Sequence, residues 1–591
     1  MAAVIAPRLE WLLPEPIVDA PTFIGFTAPV ATLLARRGFQ TDDQLARFLG
    51  ADAGTMHPIA LMADAEAALD RIDRAMSTGE RIAIWGDYDA DGISAIGVWV
   101  LGLRALDIEP ERYVPSRWSE GYGLSRMGLE ALAERGVRLV ITCDCGIANL
   151  AEVEIARSLD VDVIVTDHHL PGPMLPRAAA VVDPHRADCS YPDIDLTGAG
   201  LAFKLATALL ARHGLSDPDL AGVAAIGTIA DLAPMTGESR AIVRLGLEQL
   251  AASKRPGLRA LVDASSADPG NPTVRDLGYT IAPTINAAGR IAEAELAIRL
   301  LVSDDPDEAA ALVKDLESVH QRRRELTTAA LEEARAMAVG HAGGDRPVLL
   351  RKDSWAPGII GLVAGRLADE LARPVAVVCA VDDELRGSVR APADFNVAAA
   401  LEACAGLLTK RGGHAAAGGF SLTEEGWIAF QAAFGTLPRP YPPGRATSTE
   451  RPGQLAIDLV LPASRLDWLL ATQVERLRPF GPGNVEPVMA VTGMRVADAR
   501  RVGASEAHIG FRMRRGLETF DAVAFGTPAE RALPAAGDAL DLVGTLERDT
   551  FQGIDRLRLR VLDYAHSQAS PLLARRLPRA PASPPELATV G

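Results

Sequence analysis

The pattern of the chain predicts an α/β protein: a parallel-sheet domain, a long helix leading to a second α/β domain, and a small β-barrel at the end. Three observations predict it. From about residue 80 to 185, strand-like apolar runs alternate with helical patterns, the arrangement of βαβ units around a parallel sheet. One helical pattern opens at Asp304-Asp305-Pro306-Asp307-Glu308 and runs to about Ala338, on the order of 45–50 Å, too long for the interior of one lobe. Past residue 455, short apolar strands follow one another closely.

Residues from about Val30 to Ser77 carry apolar positions at helical spacing, so 1–80 is predicted as a helical extension packing on the first domain. Strands are predicted at Ile82–Trp85, Leu139–Thr142, Val161–Thr166 and Ala180–Val182. Their domain covers 81–303, and the uncharged run Ala221 to Ala230 within it reads as a buried helix. The bridge, 304–340, keeps a seam at Leu312, Leu316, Val319, Leu326 and Ala330, with Arg323 in one place of it. The second α/β domain, 341–436, has strands near Pro347–Leu350 and Pro374–Val378 and a helix from about Ile359 to Leu371. A Pro/Gly/Ser/Thr-rich linker is predicted at 437–455, an OB-fold-like barrel at 456–565, and a disordered tail at 566–591.

With 591 residues, 48% apolar and 23% charged, the chain is globular and too long for one core. Nothing before Glu15 reads as a secretory signal, and no apolar run reaches membrane-span length. Five irregularly placed cysteines fit a reducing cytoplasm. The net charge of −17 does not favour a non-specific nucleic-acid binder, although acids gathered around metal ions are neutralised locally.

Each predicted strand ends in acid or acid plus histidine: Asp87, Asp89 and Asp91, then Asp144, then Asp167-His168-His169, then Asp183. Strand ends of a parallel sheet share one rim, which places these groups together. Asp231 ends the buried helix and needs a partner there. Any one of them is also at home as a turn acid or a helix cap. As a set they are oxygen-dominated with one or two imidazoles, which favours Mn²⁺ or Mg²⁺ over structural zinc. Two such ions roughly 3.5–4 Å apart orient a nucleophile at phosphorus and stabilise the leaving oxygen. Phosphoester or phosphoanhydride hydrolysis is the chemistry this implies.

Asp87-Tyr88-Asp89-Ala90-Asp91-Gly92, Asp144-Cys145-Gly146, Asp167-His168-His169 and Asp231 resemble the four motifs of the DHH phosphoesterase superfamily. Gly412-Gly413-His414 with Ala417-Gly418-Gly419-Phe420 resembles the glycine-rich signature of its associated C-terminal domain. A closer resemblance is to the RecJ family. It is carried by Arg117 with Glu120-Gly121-Tyr122-Gly123-Leu124, Gly198-Ala199-Gly200, Asn286-Ala287-Ala288-Gly289-Arg290, Trp355 to Gly361, Gly387-Ser388-Val389-Arg390 and Pro479 to Asn484. It spans about Val30 to Asp563. Asp549 to Gly553 departs from it where Asn and Trp are common.

The resemblance implies a 5′→3′ exonuclease that releases mononucleotides from single-stranded DNA with two divalent ions, in DNA repair and recombination. It implies metal ligands Asp87, Asp89, Asp91, Asp144, His168 and Asp231, with Asp144 the choice for a bridging ligand. It places His169 beside the scissile phosphate, with Asp144 and Asp167 catalytic and Asp167 orienting a histidine. For the 5′-phosphate and nearby DNA it implies Arg117, Asn286, Arg290, Trp355, Gly387, Ser388, Arg390 and His414, although Trp355 reads more readily as packing. Single-stranded DNA is the implied partner, with a single-strand-binding protein and a helicase alongside, no membrane, and a monomeric enzyme. An oligoribonuclease or nucleotide phosphatase of the same superfamily lacks the barrel, and a non-catalytic DNA-binding scaffold lacks the ligands.

Overall fold

Alternate residues of the central strands face two different cores. The computed structural model describes the chain apart from residues 1–3, 18, 52, 118–119, 266–267, 342–343, 443–452, 504–505, 516–517, 552–553 and 574–591. One unit comprises Ala51–Thr449 with Gly481–Gly483. Its first sheet has five parallel strands in the order Glu111–Tyr113, Arg81–Gly86, Val137–Cys143, Asp162–Thr166, Ala180–Val182. Ile82, Ile84, Leu139, Ile141 and Val182 point into a core with helices Ala65–Thr78, Ala90–Arg104, Gly198–Arg212 and Leu220–Ala230. Ala83, Trp85, Val140, Val163 and Val181 point the other way, onto Arg126–Glu134 and Leu150–Ser158. With both faces covered, polar chemistry is confined to the strand ends.

The bridging helix spans Pro306–Ala338, and its first turn is capped by the Asp305 carboxylate. Ala309, Leu312 and Leu316 enter the first core, whereas Ala330, Leu331 and Ala334 enter a second. That second core belongs to a five-stranded sheet in the order Lys410–Gly413, Ala417–Leu422, Glu384–Arg390, Val375–Val381, Val348–Arg351, with helix Pro357–Leu371 packed on it. Only the last pair of strands is parallel. Glu111–Tyr113 and Glu384–Arg390 carry no continuous apolar run, so the sequence pattern passes over both.

The second unit comprises Met1–Gly50, Glu450–Phe480 and Asn484–Gly591. Strands Met489–Val502, His508–Arg515, Glu518–Ala524, Ile554–His566 and Ala539–Phe551 pair in that order, and the last pairs back to the first. The result is a closed five-stranded barrel. Up to Gly50 the N-terminal extension, predicted to pack on the first domain, falls in this second unit. Val30, Leu33, Leu34 and Leu45, from helices Ala28–Arg36 and Asp42–Leu49, share a core with Leu459, Leu470, Met489 and Leu542. Glu10–Leu12 pairs in parallel with Gln454–Ala456, and Asp563 Oδ2 accepts from the Arg8 and Leu9 N–H and the Trp11 indole. An amphipathic helix reveals that it has a buried face but not which distant segment covers it. The predicted tail also begins too early, because His566 ends a strand while Ser570 and Leu572 are buried. Its remainder from 574, and most of the predicted linker, lie outside the described residues.

Candidate metal centre and phosphate pocket

Glycine and a helix start shape the first acidic loop. Gly92 packs so close to Asp87 that an added Cβ would sit 2.7 Å from its backbone N. Asp89 is the N-cap of helix Ala90–Arg104, accepting from Asp91 N–H at 3.0 Å and Gly92 N–H at 3.1 Å. Asp91 accepts from Gly198 N–H at 2.7 Å and Ala199 N–H at 3.0 Å, the free donors at the start of helix Gly198–Arg212. Asp144 follows the strand Val137–Cys143 in a left-handed conformation, φ 59°. A Cβ on Gly198 would stand 2.6 Å from its own.

These segments converge. Ligand atoms of Asp87, Asp89 and Asp144 lie within 4.8 Å of one another, as do those of Asp91, His168 and Asp231, and those of Asp144, His168 and His169. His168 Nε2 is 3.0 Å from Asp144 Oδ1, 3.8 Å from Asp91 Oδ2 and 3.9 Å from Asp231 Oδ2. Asp87 Oδ1 is buried without a hydrogen-bond partner. Burial first, then the charge of Asp89, pushes the Asp87 carboxyl up to about 8. Burial and Asp231 push Asp91 up to about 8, and burial with the surrounding aspartates drives Asp144 well above the carboxylate range. Burial and Asp89 raise Asp231 to about 6. So many carboxylates cannot ionise together without cations among them. Burial and the neighbouring His169 lower His168 to about 4, which keeps it neutral and free to ligate.

Asp167 stands behind this group. Its Oδ2 accepts from Ile147 N–H at 2.9 Å, and its Oδ1 takes the His168 N–H and lies 2.7 Å from His169 Nδ1. It therefore caps the turn and orients His169, and is a positioning residue rather than one facing a substrate. Burial alone would lower His169, but the Asp167 contact prevails and raises it to about 9. The Asp167 contact thus engages Nδ1 and favours the protonated form of His169. Tyr122 completes the setting, its hydroxyl donating to the Asp144 carbonyl at 2.8 Å and lying 3.2 Å from His169 Nδ1. His414, from the second lobe, stacks its ring 6.2 Å from that of His169.

A pocket of opposite charge adjoins the Asp87 end. The Arg117 guanidinium lies 3.9 Å over the Tyr88 ring, and its Nε is buried without a partner. Arg390 Nη1 donates to Ser388 Oγ at 3.0 Å, and Arg290 Nη1 to the Gly358 carbonyl at 3.3 Å. Burial and Arg117 lower Arg390, and burial with Arg117 and Arg323 lowers Arg290 to about 10. Gly361 leaves the room this requires: a Cβ there would meet Ser388 Oγ at 3.1 Å and Arg390 Nη2 at 3.3 Å. Unpaired guanidiniums in low dielectric suit phosphate oxygens.

Comparison with known proteins agrees with this division. The family profile described as "DHH family, N-terminal domain" matches residues 81–228, "DHHA1 domain" matches 345–436, and "RecJ OB domain" matches 457–563. Single-stranded-DNA-specific exonuclease RecJ of Bacillus subtilis is 35% identical, over 95% of this chain and 72% of its own length. RecJ of Dickeya dadantii is 31% identical over 90% and 94% respectively. This chain belongs to the RecJ family. The crystal structure of RecJ with Mn²⁺ from Thermus thermophilus superimposes with a TM-score of 0.77 at 30% identity, covering 94% of this chain and 79% of that one. A second RecJ structure bound to manganese matches at 38% identity and a TM-score of 0.56, over 64% of this chain and 95% of that one. RecJ relatives thus carry Mn²⁺ or Mg²⁺, and this chain presents carboxylates and a neutral histidine arranged to bind such ions.

Three residues expected at the DNA also make contacts within the protein. Asn286 Oδ1 accepts the Ala90 N–H at 3.0 Å and so secures the metal loop. Trp355 is 5% exposed, with its indole donating to Glu333 at 2.7 Å. Gly387 makes room for Phe420, whose ring atoms a Cβ would meet at 2.0 Å. Arg323, whose Nε is buried without a partner, was visible in the sequence only as a charge interrupting an apolar seam.

Proposed function

We propose that this protein hydrolyses single-stranded DNA from its 5′ end, releasing mononucleotides with two divalent cations at the acid cluster. The observation that carries the reading is the adjacency of two unneutralised charge clusters, acids and His168 on one side and Arg117, Arg290 and Arg390 on the other. When bound, Mn²⁺ or Mg²⁺ neutralises the carboxylates and polarises water and phosphate oxygens. Asp87, Asp89 and Asp144 would hold one ion, and Asp91, His168 and Asp231 the other, with Asp144 near enough to His168 to be shared. The His169 imidazolium offers its Nε2–H to a phosphate oxygen, stabilising the charge that builds up in the transition state. Arg117 and Arg390 with Ser388 take the terminal phosphate. Breaking the P–O3′ bond leaves a new 5′-phosphate on the shortened strand, the group this pocket fits, so one product end becomes the next substrate end.

Opened strands are what such an enzyme consumes. That requirement underlies a proposed role in DNA repair and recombination, as a monomer working beside a helicase and a single-strand-binding protein. End-labelled single-stranded and duplex DNA, digested in Mn²⁺, tests the core of the reading. We expect mononucleotides from the 5′ end of the single strand and little from the duplex. Activity confined to dinucleotides, or release from the 3′ end, would overturn it.

A further inference from the structure

The residue after Asp231 combines a strained backbone with an exposed apolar side chain. Helix Leu220–Ala230 closes with Asp231 at its C-cap; Leu232 N–H then donates to the Ile229 carbonyl at 3.2 Å and Ala233 N–H to the Thr228 carbonyl at 3.2 Å. This closure requires a left-handed residue at the position Leu232 occupies, where glycine fits without strain. Leu232 adopts φ 60° and leaves its side chain 70% exposed. Its Cβ strains the backbone and its isobutyl group buries little. Strain retained at the edge of a site points towards function.

The position is informative. Asp87, Asp89 and Asp144 form the end of the acid centre beside Tyr88 and Arg117, whereas Asp91, His168 and Asp231 form the other. Leu232 follows directly from the second end. Leu170, directly after His169, is a second exposed leucine next in sequence to a residue of the centre, 74% exposed. The loop beyond Leu232 is fixed, since Met235 N–H donates to the Pro482 carbonyl at 2.6 Å and Gly481 packs against the Met235 side chain.

We infer that Leu232 is a base-contacting residue that seats the unpaired base immediately 3′ of the bond being cut. The inference rests on the exonuclease reading above. With the 5′-phosphate at the arginines and the scissile phosphate at the acids, the strand leaves past Asp231, where an aliphatic side chain covers the face of a splayed base. In a duplex that face is stacked on its neighbours, and exposing it costs unstacking energy. The contact therefore favours single strands.

The test uses Leu232→Gly in the full chain, because glycine relaxes the backbone while deleting the contact. Thermal midpoint and steady-state kinetics are measured in Mn²⁺ on a 5′-phosphorylated strand, and on the same strand abasic at its second residue. The midpoint is expected to hold or rise. On the intact strand KM is expected to rise on the order of tenfold, the scale of one lost aliphatic contact, with kcat within about twofold. On the abasic strand the variant and wild type should converge. A lowered midpoint, an unchanged KM, or an equal rise on both strands would overturn the assignment. Failure of the wild type to degrade the intact strand would overturn the exonuclease reading itself, and the assignment with it.

Discussion

The acid cluster and the arginine pocket are adjacent and pose the same physical problem with opposite sign. At one, burial and mutual repulsion push Asp87 and Asp91 up to about 8. At the other, burial and neighbouring cations lower Arg290 to about 10. Each leaves a buried polar atom unsatisfied, Asp87 Oδ1 and Arg117 Nε. A fold gains nothing from such an arrangement by itself, because unpaired buried charge costs stability. What the pair teaches is that each is a cluster a ligand of opposite charge would complete: cations on one side and, on the reading proposed above, phosphate on the other. The overall charge of −17 conceals this, since it sums a surface that takes part in neither.

Removing the shared ligand should have the largest effect. Asp144→Ala is expected to lower turnover by on the order of 10³-fold or more while leaving the circular dichroism spectrum unchanged. Near-normal turnover would break the metal side of the comparison. Next comes the loop support. Asn286→Ala leaves the Ala90 N–H without its acceptor and is expected to weaken Mn²⁺ binding by about 10- to 100-fold in titration calorimetry.

A pH dependence follows from the acids. The folded-state values of about 8 for Asp87 and Asp91 lie above the ordinary carboxylate value. Between pH about 4 and about 8 the metal-free folded state holds protons that the unfolded chain has released, so its stability falls as pH rises through that window. Thermal melts at several pH values should show this decline without metal, and Mn²⁺ should reduce it. A metal-free midpoint that climbs from pH 5 to pH 8 would contradict the charge repulsion. The smallest effect belongs to a packing residue. Trp355→Phe forfeits the hydrogen bond to Glu333, should lower the thermal midpoint only slightly, and should leave KM for DNA unchanged.

Much of the centre was legible because strand-end acids in successive βαβ units have only one rim to occupy. Asp87, Asp144 and His168 needed nothing beyond that periodicity to be brought together. The contacts of Asn286 and Gly387 within the protein were not legible, because membership of a recognisable segment does not fix the direction of a side chain, whereas the packing of Trp355 was expected. Asn286 turns towards Ala90 and Trp355 towards Glu333, and each contact is long-range in sequence. The N-terminal helices illustrate the same limit, since their apolar faces fit any core and only the fold assigns them to the barrel. Leu232 was illegible for another reason. Its significance lies in a positive φ and an exposed side chain, and neither leaves a mark on residue type.

The opposition of the two clusters is tested most directly by initial rates on single strands that differ only in a 5′-phosphate or 5′-hydroxyl, for the wild type and Arg390→Ala in saturating Mn²⁺. The wild type should favour the phosphorylated end by about tenfold or more, the scale of a charge-assisted hydrogen bond, and the variant should lose most of that preference. Equal rates on both ends in the wild type, or an undiminished preference in the variant, would contradict the assignment of the arginines to the terminal phosphate.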